Sequence, residues 1–304
     1  MRKRSRAVIA AAALGALLGG PPAGTGQEFA DVEIETVEVA RGLYMLRGRG
    51  GNVGLSVGED GAFLVDDQYA PLTEKIRAAV RAVTDRPIRF VLNTHWHGDH
   101  TGGNENLGTA GALIVAHENV RRRMQAGQFM KLLGRDVPPA PAVALPAVTF
   151  AADITFHWNE HEIQAVHVMR AHTDGDTLVH FRSVDVLHMG DVFLSDTYPF
   201  IDTDSGGSID GMIAAVERGL ERAAANTRII PGHGRLSDRA GLATFRDMLV
   251  TVRERIGDAV AAGRSVEDVL RSKPTADLDA AWGGGFVTPD AFVRAVYGSL
   301  AGER

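Results

Sequence analysis

The sequence predicts an α/β chain with its strands divided between two sheets. Three observations carry this. Strand-like stretches outnumber helical ones in each half of the chain. A loop rich in metal-capable side chains follows an apolar strand in each half. And 304 residues, 45% of them hydrophobic, fit a single globular body that is large for one sheet but natural for a two-sheet sandwich.

The first 26 residues stand apart. Arg2, Lys3, Arg4 and Arg6 make a basic start, Val8 to Leu18 is a short apolar run, and residues 19–26 are small and proline-containing. This is a secretory signal pattern with cleavage expected after Gly26, so the mature chain is expected outside the cytoplasm, periplasmic or secreted. The apolar run is too short to span a membrane comfortably, and no cysteine follows it to carry a lipid, so no stable membrane anchor is expected after cleavage.

Residues 33–39 alternate polar and apolar and read as a half-exposed strand. Short strands follow at 43–47, 52–57 and 62–66 between glycine-rich turns. Pro71 to Val83 reads as an amphipathic helix with Leu72, Ile76, Ala79, Val80 and Val83 on one face. Strands at 88–94 and 112–116 come next, then a helix from about Glu118. Strands 154–158 and 162–168 form a hairpin around Asn159-Glu160, and 177–182 and 185–189 continue the strand series. A helix from Ser208 to Ala224 has Ser208 as N-cap and Ile209, Met212, Ile213, Val216 and Leu220 as core face. Strand 228–230 ends at Pro231-Gly232-His233-Gly234, and a long helix covers Ser237 to Ala262. The main domain is therefore placed at 27–262. Residues 263–304 hold two capped helices, one at Ser265 with Asp268 in capping-box position and one at Thr288-Pro289, and read as an extension packed on that domain.

The most specific feature is His95-Trp96-His97-Gly98-Asp99-His100, directly after the apolar run 88–94. On extended backbone, side chains two apart point the same way, so His95 and His97 can pinch one metal while Trp96 faces away. Gly98 lets the chain turn, and Asp99 and His100 then face a second metal. His172, Asp191 and His233 each follow an apolar strand with glycine nearby, the place where ligand sites gather in α/β sheets. The remaining histidines, His117, His157, His161, His167, His180 and His188, lack mutual spacing and read as structural.

This ordered set resembles the metallo-β-lactamase superfamily, over about Glu33 to Ile256. The resemblance implies a four-layer αββα sandwich. It implies that His95, His97 and His172 hold a first metal, that Asp99, His100 and His233 hold a second, and that Asp191 bridges them. Asp66 matches the strand-end aspartate that supports the site from behind; its alternative is a turn residue. The chain has no cysteine, which excludes the β-lactamase subclasses that place a cysteine on the second metal. The bridging aspartate is instead similar to the glyoxalase II, lactonase and phosphodiesterase branches.

An all nitrogen and oxygen donor set suits two zinc ions, with iron or manganese as alternatives. The resemblance implies a metal-dependent hydrolase in which metal-bound hydroxide attacks a cyclic amide or ester, with β-lactams or lactones as candidate substrates; a glyoxalase II type thioesterase or a phosphodiesterase is the alternative. Asp99 can orient the hydroxide and receive its proton. Two zinc ions against two carboxylates and one hydroxide leave a positive centre, which favours a small-molecule substrate with an anionic group. Removing the leader's four positive charges takes the net charge from −6 to −10, so nucleic acid is not an expected partner. Substrate contacts are expected from loops. Residues 48–52 form a flexible turn bordering the cleft, with Asn52 as a candidate contact. Residues 124–146 form either an apolar lid or a packed helix with an extended connector. Tyr198, seven residues past Asp191, either donates to substrate or packs.

Overall fold

The protein is described from a computed structural model, covering residues 29–130 and 134–302. The expected leader lies outside these residues, as do Leu132 and Leu133 of the expected lid. Four strands open the chain as an antiparallel meander: β1 (Glu35–Ala40), β2 (Leu43–Arg47), β3 (Val53–Ser56) and β4 (Ala62–Val65). Helix α1 (Thr73–Val83) then crosses back to β5 (Ile88–Asn93), parallel to β4. Two short helices, α2 (Gly98–Thr101) and α3 (Asn104–Thr109), precede β6 (Leu113–His117) and α4 (Glu118–Ala126). A small hairpin, β7 (Gln128–Met130) and β8 (Arg135–Val137), stands apart from the sheets, and β9 (Val148–Phe150) completes the first of them in the order β1-β2-β3-β4-β5-β6-β9.

The second sheet runs in simple sequence order: β10 (Asp153–Trp158), β11 (His161–His167), β12 (Thr177–Phe181), β13 (Val186–His188), β14 (Arg228–Ile230) and β15 (Ser237–Asp238), with α5 (Ile209–Arg222) as the crossover before β14. Asn159 and Glu160, both with positive φ of 52° and 62°, turn β10 into β11. Two adjacent left-handed residues are what a tight two-residue hairpin requires. Helix α6 (Arg239–Ala261) and three further helices, α7 (Val266–Arg271), α8 (Asp279–Trp282) and α9 (Pro289–Gly302), end the described chain.

Side-chain alternation along the strands separates three cores. Phe63 and Val65 of β4 and Leu92 of β5 meet Ile163, Val179 and Val186 between the sheets. Leu64 and Val91, one residue out of phase, point the other way and pack under Leu72, Ile76 and Val80 at α1. Leu178, Leu187 and Ile229 pack under α5, α6 and α9. The result is helix, sheet, sheet, helix, the expected four-layer αββα sandwich. Each fully buried Leu, Ile or Phe contributes roughly 1.5–3 kcal/mol.

The capped helices form as their sequences predict. The Ser208 hydroxyl accepts from the Gly211 N–H at 3.0 Å, the Ser265 hydroxyl from the Asp268 N–H, and the Thr288 hydroxyl from the Ala291 N–H. On α5, Ile209, Met212, Val216 and Leu220 are buried and Ile213 is half-buried. The last forty residues share the core of α5 and α6: Phe292, Val293 and Val296 are buried there, and Ser299 accepts a hydrogen bond from the Ile209 N–H at 3.1 Å.

Three expectations need correction. Pro71 lies in a 3-10 turn before α1 rather than in the helix, which begins at Thr73. The segment after α4 is neither a plain connector nor one apolar cover: it includes the β7–β8 hairpin, whose Phe129 is 54% exposed. And the turn at 48–52 is pinned, not loose. Gly51 donates to the Asp99 carbonyl, Asn52 to the Gly232 carbonyl, and the Gln68 amide donates to the Gly51 carbonyl.

Candidate metal centre

The topology explains why these residues meet. β4 and β5 are parallel neighbours, so Asp66 and the His95–His100 segment leave the sheet side by side. β13 and β14 are also parallel neighbours, so Asp191 and His233 leave the second sheet together. His172 comes from the loop between β11 and β12. Asn52 ties the two sheets at this rim. Its backbone N–H reaches the Gly232 carbonyl at 2.7 Å, its side-chain amide donates to the carbonyls of Pro231 and Gly234, and its own carbonyl accepts from His188 Nε2 at 3.0 Å. Asn52 is thus buried beneath the His233 loop, and its side-chain amide is spent on bracing the two sheets at this rim.

His95, His97 and His172 converge, with His172 Nε2 2.8 Å from His97 Nδ1. Asp99, His100 and His233 form a second group, with His233 Nε2 3.2 Å from Asp99 Oδ2 and 3.3 Å from His100 Nε2. Asp191 lies between the groups and splits its oxygens. Its Oδ2 is 3.7 Å from His172 Nε2 and 4.0 Å from His95 Nε2. Its Oδ1 is 3.1 Å from His100 Nε2 and 3.4 Å from His233 Nε2. Donors at 2.0–2.1 Å from a tetrahedral ion are about 3.3 Å from one another. Both groups of four donors are close to that spacing.

Glycine makes the packing possible at two points. A Cβ on Gly51 would come within 2.1 Å of the His100 ring, and one on Gly232 within 2.1 Å of Asp191 Oδ1. Gly98, by contrast, has open space around it and no positive φ. The turn expected of it is made by α2, where His100 and Thr101 donate backbone N–H groups to the His97 carbonyl.

The nitrogen that each ligand histidine turns away from the centre is largely held. His97 Nε2 bonds Asp202 Oδ2 at 2.9 Å, which turns Nδ1 inward. His172 Nδ1 donates to the Phe200 carbonyl at 2.7 Å, turning Nε2 inward. His100 Nδ1 donates to Asp66 Oδ2 at 2.8 Å. His95 Nδ1 is 3.0 Å from the Thr94 hydroxyl, which in turn donates to Asp66 Oδ2 at 2.8 Å. The Thr94 N–H completes the carboxylate's partners at 2.7 Å. Asp66 therefore orients one histidine of each group, and it does so from a left-handed backbone, φ 65°. Such outer hydrogen bonds fix the tautomer and aim of metal ligands.

The electrostatics ask for cations. Burial lowers the His95 pKa, as do the neighbouring rings, and burial together with His97 lowers His172 to about 4, so both stay neutral and able to ligate. In the second group burial alone would lower His100 and His233, but Asp191 and Asp99 outweigh it, raising His100 and taking His233 to about 10. The carboxylates there hold positive charge on protons where a metal would supply it. His95 Nε2 is buried without a hydrogen-bond partner. The donor groups fit metal ions.

Two features escape sequence reasoning. Asp202 orients His97, and its Oδ1 accepts from the Ser205 N–H. Burial pushes its carboxyl up, but the hydrogen bond with His97 and the charge of that ring hold it at about 2. Nothing in its surrounding sequence separates it from other loop acids. Tyr69 lines the cavity in front of the metals, and burial followed by the charge of Asp99 keeps its hydroxyl protonated. Tyr198 also borders this cavity, but its hydroxyl donates to Asp279 at 2.9 Å and its ring stacks on Phe292, the packing role and not a substrate contact. Trp96 points away from the first group, as the alternation of side chains predicts, and donates to the Ser205 hydroxyl. The six histidines read as structural, His117, His157, His161, His167, His180 and His188, belong to neither donor group; His117, for one, caps α4 and stacks on His167 at 3.7 Å.

Comparisons with known proteins agree with this geometry. The sequence profile of the metallo-β-lactamase superfamily matches residues 46–233, a span that ends on His233 itself. A hydroxyacylglutathione hydrolase from Nitrosococcus oceani is 27% identical over 165 residues, 53% of this chain and 54% of that protein. One from Polaromonas sp. is 26% identical over 170 residues, 54% of this chain and 55% of that protein. The chain thus spans about half the length of these curated relatives. A metallo-β-lactamase from Pontibacter korlensis superposes with a TM-score of 0.59 at 18% identity, over 71% of this chain and 99% of that one. The DIM-1 metallo-β-lactamase gives 0.58 at 18% identity, over 73% and 99%. A double mutant of the sec-alkyl sulfatase PisA1 gives 0.67 at 18% identity, over 90% of this chain and 51% of that one. At that identity the solved structures speak for the fold alone. With more than half of its length matched and both donor groups inside or at the edge of the matched span, this chain belongs to the metallo-β-lactamase superfamily.

Proposed function

We propose that the protein is an exported di-metal hydrolase that cleaves an ester, a thioester or a cyclic amide or ester bearing an anionic group. The observation that carries this reading is the shared Asp191 carboxylate, one oxygen toward each donor group. His95, His97 and His172 would hold one ion, Asp99, His100 and His233 the other. When bound, two zinc ions lower the pKa of a shared water toward neutrality and stabilise the oxyanion that forms on attack. The chain's own residues supply the rest. Asp99 is partly exposed to the cavity, and with Oδ2 at His233 its Oδ1 is the oxygen left to take a proton. Arg49 and Arg135 line the same cavity of about 410 Å³ and attract an anionic substrate, while Trp96, Phe200 and Leu194 form apolar walls that exclude water. β-Lactams, which carry a carboxylate, fit this description; acyl lactones fit the apolar walls but lack the anion. Thioesters are a second reading, favoured because the two curated relatives named above are hydroxyacylglutathione hydrolases.

The purified protein should carry two metals, lose all turnover on chelation and regain it with zinc. A panel of nitrocefin, an acyl-homoserine lactone, a hydroxyacyl thioester and a phosphodiester then separates the substrate classes. Elemental analysis showing no more than one ion under zinc-replete conditions would defeat the di-metal site. Turnover of the phosphodiester alone would defeat the carbonyl assignment. Export rests on the basic start and short apolar run of residues 1–26. N-terminal sequencing of protein from the periplasmic fraction should begin near Gln27; recovery of intact Met1 in the cytosol overturns it.

A further inference from the structure

A second cavity, of about 540 Å³, opens beside the catalytic one, and the two share Met130, Phe200 and Val287 as walls. Its floor is the Pro199–Ile201 segment, and its far side is the face of α9 carrying Ala291 and Ala295. The shared walls come from three distant parts of the chain: the β7–β8 hairpin, the loop past Asp191, and the entry to α9. Two small alanines, one helical turn apart, keep the α9 side open. The floor offers no unsatisfied polar group. The one buried acid there, Asp202, has both oxygens occupied by His97 and the Ser205 N–H. The charged residues of the chamber, Asp204, Asp290 and Arg294, are solvent-exposed and so belong to its rim. A chamber with an apolar floor and walls, whose polar groups Thr203, Asp204, Thr288, Asp290 and Arg294 are exposed at the rim, matches a hydrocarbon chain better than a peptide or sugar.

We propose that this chamber is an acyl-chain subsite: it takes an unbranched hydrocarbon chain on the acyl side of the scissile carbonyl, so the preferred substrates are medium-chain acyl esters, thioesters or lactones. The C-terminal helix is then part of the substrate site and sets chain-length preference. Phe286, 71% exposed at the border of the catalytic cavity, covers the chain where it leaves the metals. The proposal rests on the carbonyl-hydrolase reading for its substrate, but the binding of a chain does not.

The test is titration calorimetry of the zinc-loaded protein with butyrate, hexanoate and octanoate, the hydrolysis products of such substrates, alongside turnover of the matching 4-nitrophenyl esters. Wild-type affinity should rise about threefold per added methylene. Ala291→Trp fills the chamber and should flatten that dependence while leaving butyrate affinity within twofold; Ala295→Trp is the second variant should the first fold poorly. Affinity independent of chain length in the wild type, or an unchanged slope in a folded variant, overturns the subsite. A normal chain-length slope in binding with no turnover of any of these esters nor of the nitrocefin, lactone and thioester substrates leaves the subsite standing and sinks the hydrolase reading instead.

Discussion

Asp191→Ala should leave a folded protein with one metal or none and with turnover reduced by at least about 10³-fold, the equivalent of several kcal/mol of transition-state stabilisation. The size follows from the geometry. Asp191 faces both groups from the front: Oδ1 lies 3.1 Å from His100 Nε2 and Oδ2 lies 3.7 Å from His172 Nε2. On the proposed di-metal reading, losing Asp191 would remove a ligand from each ion and a full negative charge from between them. Asp99 remains, but it serves only the second group. Asp191→Asn keeps the shape and one ligating oxygen, so it should retain one metal better than alanine and still lose most turnover. His97→Ala and His100→Ala provide the comparison, since each removes a ligand from one group alone. They should weaken one site selectively. Two tight ions and full activity in Asp191→Ala would show that the carboxylate is not a bridge, and elemental analysis with steady-state rates on whichever panel substrate is turned over decides the matter.

What the sequence makes legible is whatever has a local cause. The His95–His100 motif, the strand-end aspartates and the Ser208, Ser265 and Thr288 caps each depend on neighbours a few residues away, and each stands where local reasoning puts it. The sandwich layers follow from alternation, as in β4, where Phe63 and Val65 face one core and Leu64 the other. Short helices such as α2 and α8 have too few residues to show a period. Residues that act across the fold leave no local mark. Asp202 meets His97 across 105 positions, and Asn52 meets Pro231 across 179. The same blindness explains Tyr198. Its distance from Asp191 along the chain leaves a substrate contact and a packing role both open, and Asp279, eighty-one residues on, takes its hydroxyl. Gly51 shows the opposite limit. A glycine-rich turn reads as loose, yet here glycine is needed because the His100 ring occupies the space of a side chain.

Asp66→Asn should weaken both metal sites, by about 10- to 100-fold for the second and less for the first. The asymmetry comes from two unequal routes. His100 bonds Asp66 directly, at 2.8 Å, whereas His95 reaches it only through the Thr94 hydroxyl. An amide keeps one acceptor oxygen but turns an N–H₂ toward donors that need acceptors, and it removes the charge that makes His100 a stronger ligand. Asparagine is the informative change because residue 66 has φ 65°, a conformation that asparagine tolerates and alanine does not without strain. Asp66→Ala adds that strain and leaves the buried Thr94 N–H unsatisfied, a further loss of about 1–3 kcal/mol in stability. Competition with a chromophoric chelator reads each site's affinity, and thermal unfolding reads the fold. A mere turn residue would lower the melting temperature and leave both affinities alone. An oriented ligand shell predicts the reverse for Asp66→Asn: a modest change in melting temperature, and a second-site affinity that falls further than the first because Asp66 holds His100 Nδ1 directly.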